Sequence, residues 1–137
     1  MIHRVTASVV GHRITRVTFV LYALALTIGT HWPDFSVATP GIEFSDKILH
    51  AGAFFGGVLL LGLTGWLGPP GLRSACCAGA IGVVWAATDE LTQGIPILNR
   101  SVSFFDFLAD VLGVAGAVLA LVLIGLRHVS DPPPETF

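Results

Sequence analysis

Four apolar runs, separated by turns rich in proline and glycine, leave this chain almost no polar surface with which to face water. Of its 137 residues 53% are hydrophobic and 12% charged, and the mean hydropathy is +0.80. A soluble domain of this size needs a polar exterior, and seven basic plus nine acidic residues cannot cover one. The charges fall between the runs, so the sequence predicts an all-α integral membrane bundle of four transmembrane helices.

The first run is Val17 to Trp32, sixteen residues that Ile14 and a snorkelling Arg16 extend toward bilayer-crossing length, before Pro33 stops it. The second is Ile48 to Leu67, in which His50 is the one ionisable side chain, and it ends at Gly68-Pro69-Pro70-Gly71. The third starts near Ser74 and stays apolar to Thr88; it reaches full length only by including Asp89, Glu90 and Gln93. The fourth runs from Phe104 to Leu126 with Asp106 and Asp110 in its first two turns. This divides the chain into an N-terminal segment (1–16), a four-helix domain (17–126) and a tail (127–137) too short and proline-rich to fold alone. Basic residues before an apolar stretch also suit a signal peptide, but no small-residue cleavage site precedes Pro33.

Arg4, Arg13, Arg16, Arg73 and Arg127 lie on one side of these spans, against Lys47 and Arg100 on the other. The excess of basic residues predicts both termini in the cytoplasm. Asp46, Lys47, His50, Asp89, Glu90, Gln93, Arg100, Asp106 and Asp110 then gather at the outer membrane face. Asp46 with His50, Asp89 with Gln93 and Asp106 with Asp110 are spaced i,i+4, and Glu90 with Gln93 i,i+3, so each helix carries a polar stripe at its outer end. At ~1.5 Å per residue His50 and Asp110 lie about one turn deeper than Asp46 and Asp106, where an acid is costly unless it faces protein or water.

Plainer roles compete for each residue. Ser103-Phe104-Phe105-Asp106 fits a capping box in which Asp106 finishes a helix N-terminus, and Ser45 can cap the second helix. Whichever of Asp89 and Glu90 faces away from Gln93 fits a solvated residue at headgroup level, and His50 alone fits a core histidine bonded to a neighbour. Convergence favours a shared site made of Asp46, Lys47, His50, Glu90, Gln93, Arg100, Asp106 and Asp110, because intramembrane ionisable groups are functional by default. Adjacent Cys76 and Cys77 read as small packing residues rather than palmitoylation sites. Gly52 with Gly56, Ala75 with Gly79, and Gly113 with Ala117 put small residues at four-residue spacing, the pattern of close helix contact. Gly113 shares a face with Asp106, so that face is expected to pack inward.

Asp46-Lys47-x-x-His50 followed by Phe54, then Glu90-x-x-Gln93, Arg100, and Asp106-x-x-x-Asp110-x-x-Gly113 together resemble the VanZ-like family of small membrane proteins. The resemblance covers Asp46 to about Gly116, and rests on the order and spacing of these pieces. It implies a bacterial plasma-membrane location and an association with resistance to the glycopeptide teicoplanin. Asp110 stands where the family pattern usually has Asn.

Two functions are expected to compete. In one, the outer pocket binds an anionic lipid or lipid-linked cell-wall intermediate, with Lys47, His50, Arg100 and the helix N-termini as donors. In the other, the chain is an enzyme on such a substrate, with Glu90, Asp106 or Asp110 as general base or as ligands for a divalent cation such as Mg²⁺, and His50 as acid or base. Zinc is disfavoured because no closely spaced His or Cys set occurs. The expected partners are membrane lipids, an envelope intermediate or glycopeptide, and, for any transport path, further copies of the chain; nucleic acid is not among them.

In a background lacking Cys76 and Cys77, cysteines introduced at Thr39 and Asn99 are expected to react with an impermeant thiol reagent on intact cells, and one at Ser130 is not. Labelling at Ser130 but not at Asn99 would reverse the orientation.

Overall fold

A computed structural model describes residues 2–33 and 45–130, with side chains placed over 11–33 and 46–127. Four helices account for most of them: α1 (Ile2–Thr30), α2 (Ser45–Leu63), α3 (Leu72–Gln93) and α4 (Phe104–Ser130), with a 3-10 turn at Pro96–Leu98. No strand occurs among the described residues. Most of the loop from Pro33 to Ser45 and the tail beyond Ser130 lie outside them, as does the side chain of Ser45.

Local chemistry sets the helix ends. α1 is not confined to the first apolar run; it continues back to Ile2, so the N-terminal segment extends the helix. α2 starts before Ile48 and ends at Leu63, four residues short of Leu67. There the Thr64 hydroxyl donates to the Leu61 carbonyl at 2.7 Å and accepts from the Trp66 amide at 3.2 Å, which competes with the helical ladder. Gly65 then takes φ 76°, a left-handed conformation that glycine adopts without steric cost. α3 does include Asp89, Glu90 and Gln93. Asn99, at φ 50°, closes the 3-10 turn, a role its short polar side chain tolerates.

Among the described residues, three helices are long and apolar enough to cross a bilayer: α1 over Gly11–Thr30, α2 over Asp46–Leu63 and α4 over Phe104–Arg127. The core lies between α2, α3 and α4, where Phe54, Val58 and Leu61 meet Ala75, Ala78 and Ala86 and also Val114, Ala117 and Leu121. α2 and α4 run parallel, with Ala51 against Gly113 and Gly62 against Leu121. α3 runs antiparallel to α4, with Gly79 against Val118 and Gly82 against Val114.

The tightest contact is at Gly113, where an added Cβ would sit 2.1 Å from the Ala51 carbonyl oxygen. Gly113 is itself buried, and Asp110 shares its inward direction. The glycine pattern in α2 works differently from the expectation. Gly52 meets nothing within 4 Å, and Gly56 makes room for the Tyr22 ring of α1, whose hydroxyl donates to the Ala53 carbonyl at 2.8 Å. Cys76 and Cys77 are free and exposed, not packed.

α1 is attached from outside this trio. At one end the Arg16 guanidinium donates to the Thr64 carbonyl at 3.0 Å and lies over the Trp66 ring. Midway, Phe19 meets Trp66 and Trp85 edge-on. At the other end the Thr30 hydroxyl donates to Asp89 at 2.8 Å.

Candidate functional site

Parallel packing of α2 and α4 puts two helix N-termini side by side, and so two positive dipole ends. Each has an acid in its first turn, Asp46 in α2 and Asp106 in α4. A carboxylate there stabilises a helix by ~0.3–1 kcal/mol, which gives a local reason for acids at this end of the bundle. Lys47 joins them: its ammonium donates to Asp46 Oδ2 at 2.7 Å and, by a very short bond, to Asp106 Oδ1. One turn deeper His50 Nδ1 bonds Asp110 Oδ1 at 3.0 Å, with the Asp110 side chain fully buried. Asp46 and His50 line the same cavity but bond different partners, Asp46 the adjacent Lys47 of α2 and His50 the Asp110 of α4.

Ser103 caps α4, its hydroxyl accepting from the Asp106 amide at 3.3 Å. In a capping box the side chain of Asp106 would return to the Ser103 amide. Here Glu90 of α3 takes that amide instead, Oε1 accepting from Ser103 N at 2.5 Å. Asp106 is thereby released to bind Lys47. Glu90 is buried at the junction of two helices, not solvated. Its Oε2, like Oδ2 of Asp110, is buried with no hydrogen-bond partner, an arrangement that costs stability.

Gln93 belongs to a separate cluster. Its amide donates to Asp89 Oδ2 at 2.8 Å, while Thr30 donates to Oδ1. Asp89 is buried as well, so neither acid of the pair faces solvent. His31 completes the group, with Nδ1 3.7 Å from Asp89 and Nε2 2.8 Å from the Thr92 hydroxyl. Sequence reasoning assigned Thr30, His31 and Thr92 no role. The available signal was a histidine just before Pro33, at the same membrane level as Asp89.

Between α1 and α2 lies a cavity of about 340 Å³. Asp46, His50, Arg100 and Asp106 line its polar end, while Ala25, Leu26, Leu49, Ala53 and Phe54 make its apolar walls. Leu49 is also exposed on the outside of the bundle, so the cavity borders the surroundings of the helices. Four of the eight expected site residues therefore reach the cavity. Lys47 and Asp110 hold Asp46, Asp106 and His50 from behind, Glu90 fixes the start of α4, and Gln93 faces the other cluster. Since Nδ1 of His50 is committed to Asp110, Nε2 is the ring nitrogen left for an occupant. The acids do not converge as a divalent-cation site would require: no group of three or more His, Cys, Asp or Glu among the described residues is arranged to hold a metal ion.

These features define a helical bundle with a polar-ended cavity at one end of its apolar belt. Comparison with protein-family models, curated proteins and solved structures returns no match to this chain.

The division into two clusters has an energetic signature. Lys47→Ala and Asp106→Ala are expected to couple by ~0.5–3 kcal/mol in thermal unfolding, while Lys47→Ala and Gln93→Ala, which share no partner, add. Coupling of Lys47 to Gln93 as strong as to Asp106 would mean one continuous network.

Proposed function

We propose that this chain is a bacterial plasma-membrane protein of VanZ-like type, spanning four times with both termini in the cytoplasm. Its outer-face cavity holds an anionic lipid or lipid-linked cell-wall intermediate, and through that ligand it bears on glycopeptide resistance. The observation that carries the reading is the make-up of the cavity, charged at one end and apolar along its walls. That is the distribution of an amphiphile, with a head at the level of Asp46 and Asp106 and a chain passing Leu26, Leu49 and Phe54.

The fourth span is supported by the surface of α3. Ser74, Asp89, Glu90 and Gln93 are buried inside the bundle, whereas Leu72, Ile81, Val84 and Leu91 are exposed, together with Arg73 and Thr88. The helix lacks the composition of an isolated span because its inward face carries most of the polar groups, but the face it turns outward is mostly apolar. Bundle-facing ionisable groups of this kind are how membrane proteins carry polar sites.

The His50–Asp110 pair favours a second reading, an enzyme on the same substrate. A carboxylate that fixes the imidazole through Nδ1 presents Nε2 to the cavity as a general acid or base.

Native mass spectrometry of the chain released from lipid nanodiscs separates these. A retained anionic lipid is expected, with retention lost in a variant combining His50→Ala and Arg100→Ala at unchanged membrane abundance; equal retention in that variant would overturn the binding site. Asp110→Asn keeps an acceptor for His50 and should leave binding and envelope phenotype intact. Loss of phenotype with binding preserved would favour the enzyme.

A further inference from the structure

The cavity's polar end is not a plain anion site. Lys47, one of the three side chains expected to receive an anion, is already bracketed by two carboxylates, Asp46 Oδ2 and Asp106 Oδ1. What reaches the cavity is the pair of aspartates themselves, together with His50 and Arg100. Lys47 bonds one oxygen of each carboxylate, and an ionised carboxylate accepts hydrogen bonds but cannot donate them. An occupant that presented acceptors alone would face both carboxylates with nothing to give, and would also repel them.

We infer that the head of the bound amphiphile carries hydroxyl donors as well as an anionic group, as a phosphate ester of a polyol or sugar does. This rests on the reading of the cavity as a lipid site. The phosphate lies toward the side of the cavity lined by Arg100 and His50. The hydroxyls lie toward Asp46 and Asp106. A bare phosphate head fills only the first half of this pattern. An amine head fills the second, but it brings a third positive charge to an end of the cavity where Lys47 and Arg100 already match the two carboxylates in charge; hydroxyls donate without that like-charge cost. The volume, about 340 Å³, is at the lower end of the range for small-molecule sites. It accommodates a head and the start of a chain, and the rest of the lipid stays beside Leu49 on the outside of α2.

The test is a competition in phosphatidylcholine nanodiscs holding the full-length chain. Phosphatidylglycerol, phosphatidic acid and phosphatidylethanolamine of identical acyl composition are added at equal mole fraction, and the lipid retained by the protein is counted by native mass spectrometry. Phosphatidylglycerol is expected to exceed each of the others by about tenfold, the discrimination that one charge-assisted hydrogen bond supplies. Asp46 is the more exposed of the two cavity aspartates, its side chain 43% exposed against 19% for Asp106. Asp46→Asn should therefore leave the fold intact, and it should cut the preference severalfold without abolishing retention. Phosphatidic acid held as well as phosphatidylglycerol, or phosphatidylethanolamine held better, would overturn the hydroxyl requirement while leaving a lipid site standing. A preference unchanged in Asp46→Asn would overturn it too. Retention of none of the three would overturn the lipid reading itself.

Discussion

The approach of α2 to α4 at Gly113 is the constraint on which the rest of the structure depends. With a Cβ position only 2.1 Å from the Ala51 carbonyl oxygen, no other residue fits there without moving a backbone. On α4 this contact lies one turn below Asp110 and two below Asp106; on α2 Ala51 directly follows His50 and lies one turn below Lys47. Because the helices are parallel and nearly touching at that level, both cross-helix pairs fall within bonding distance above it. A wider spacing would leave Asp106 and Asp110 without their cross-helix partners, and for the fully buried Asp110 that loss is expensive.

The same parallel arrangement explains why so apolar a chain places Asp46 and Asp106 at one end of the bundle. Two adjacent N-termini need negative charge, and Asp46 and Asp106 supply it; the acids need a counter-ion, and Lys47 supplies that. α3 meets them from the opposite direction and contributes Glu90 to the Ser103 amide. Structural and functional explanations of these residues are therefore not exclusive. The groups that cap the helices also form the polar end of the cavity. The cavity exists because α1, held at Arg16, Tyr22 and Thr30, does not pack into the trio along its whole length.

Much of this was legible in the sequence, for identifiable reasons. Apolar run lengths and Pro-Gly turns located all four helices, and i,i+4 spacing placed Asp106, Asp110 and Gly113 on one inward face. Gln93 with Asp89 is a realised i,i+4 pair. Pairing across helices was not legible. Spacing within α2 put Asp46 and His50 on one stripe, but the bonds of Lys47 to Asp106 and of His50 to Asp110 depend on the azimuth of α4, which no single helix encodes. The exchange by which Glu90 takes the Ser103 amide and frees Asp106 needs a third helix and leaves no local signal. Gly52 matched a small-residue pattern yet meets nothing, because spacing says which residues share a face but not what that face meets. The early end of α2 was hidden because Thr64 to Leu67 is mostly apolar; the hydroxyl of Thr64 and the φ of Gly65, not hydropathy, end the helix there.

The most direct measurement of this account is the thermal unfolding of Gly113→Ala beside Gly52→Ala in lipid nanodiscs, with retained lipid counted on each. The account predicts that Gly113→Ala is destabilised by ~1–3 kcal/mol, as overpacking a tight contact costs, and loses its lipid, while Gly52→Ala keeps wild-type stability and occupancy. A Gly113→Ala protein as stable as wild type, with its lipid still bound, would contradict the claim that this contact sets the site.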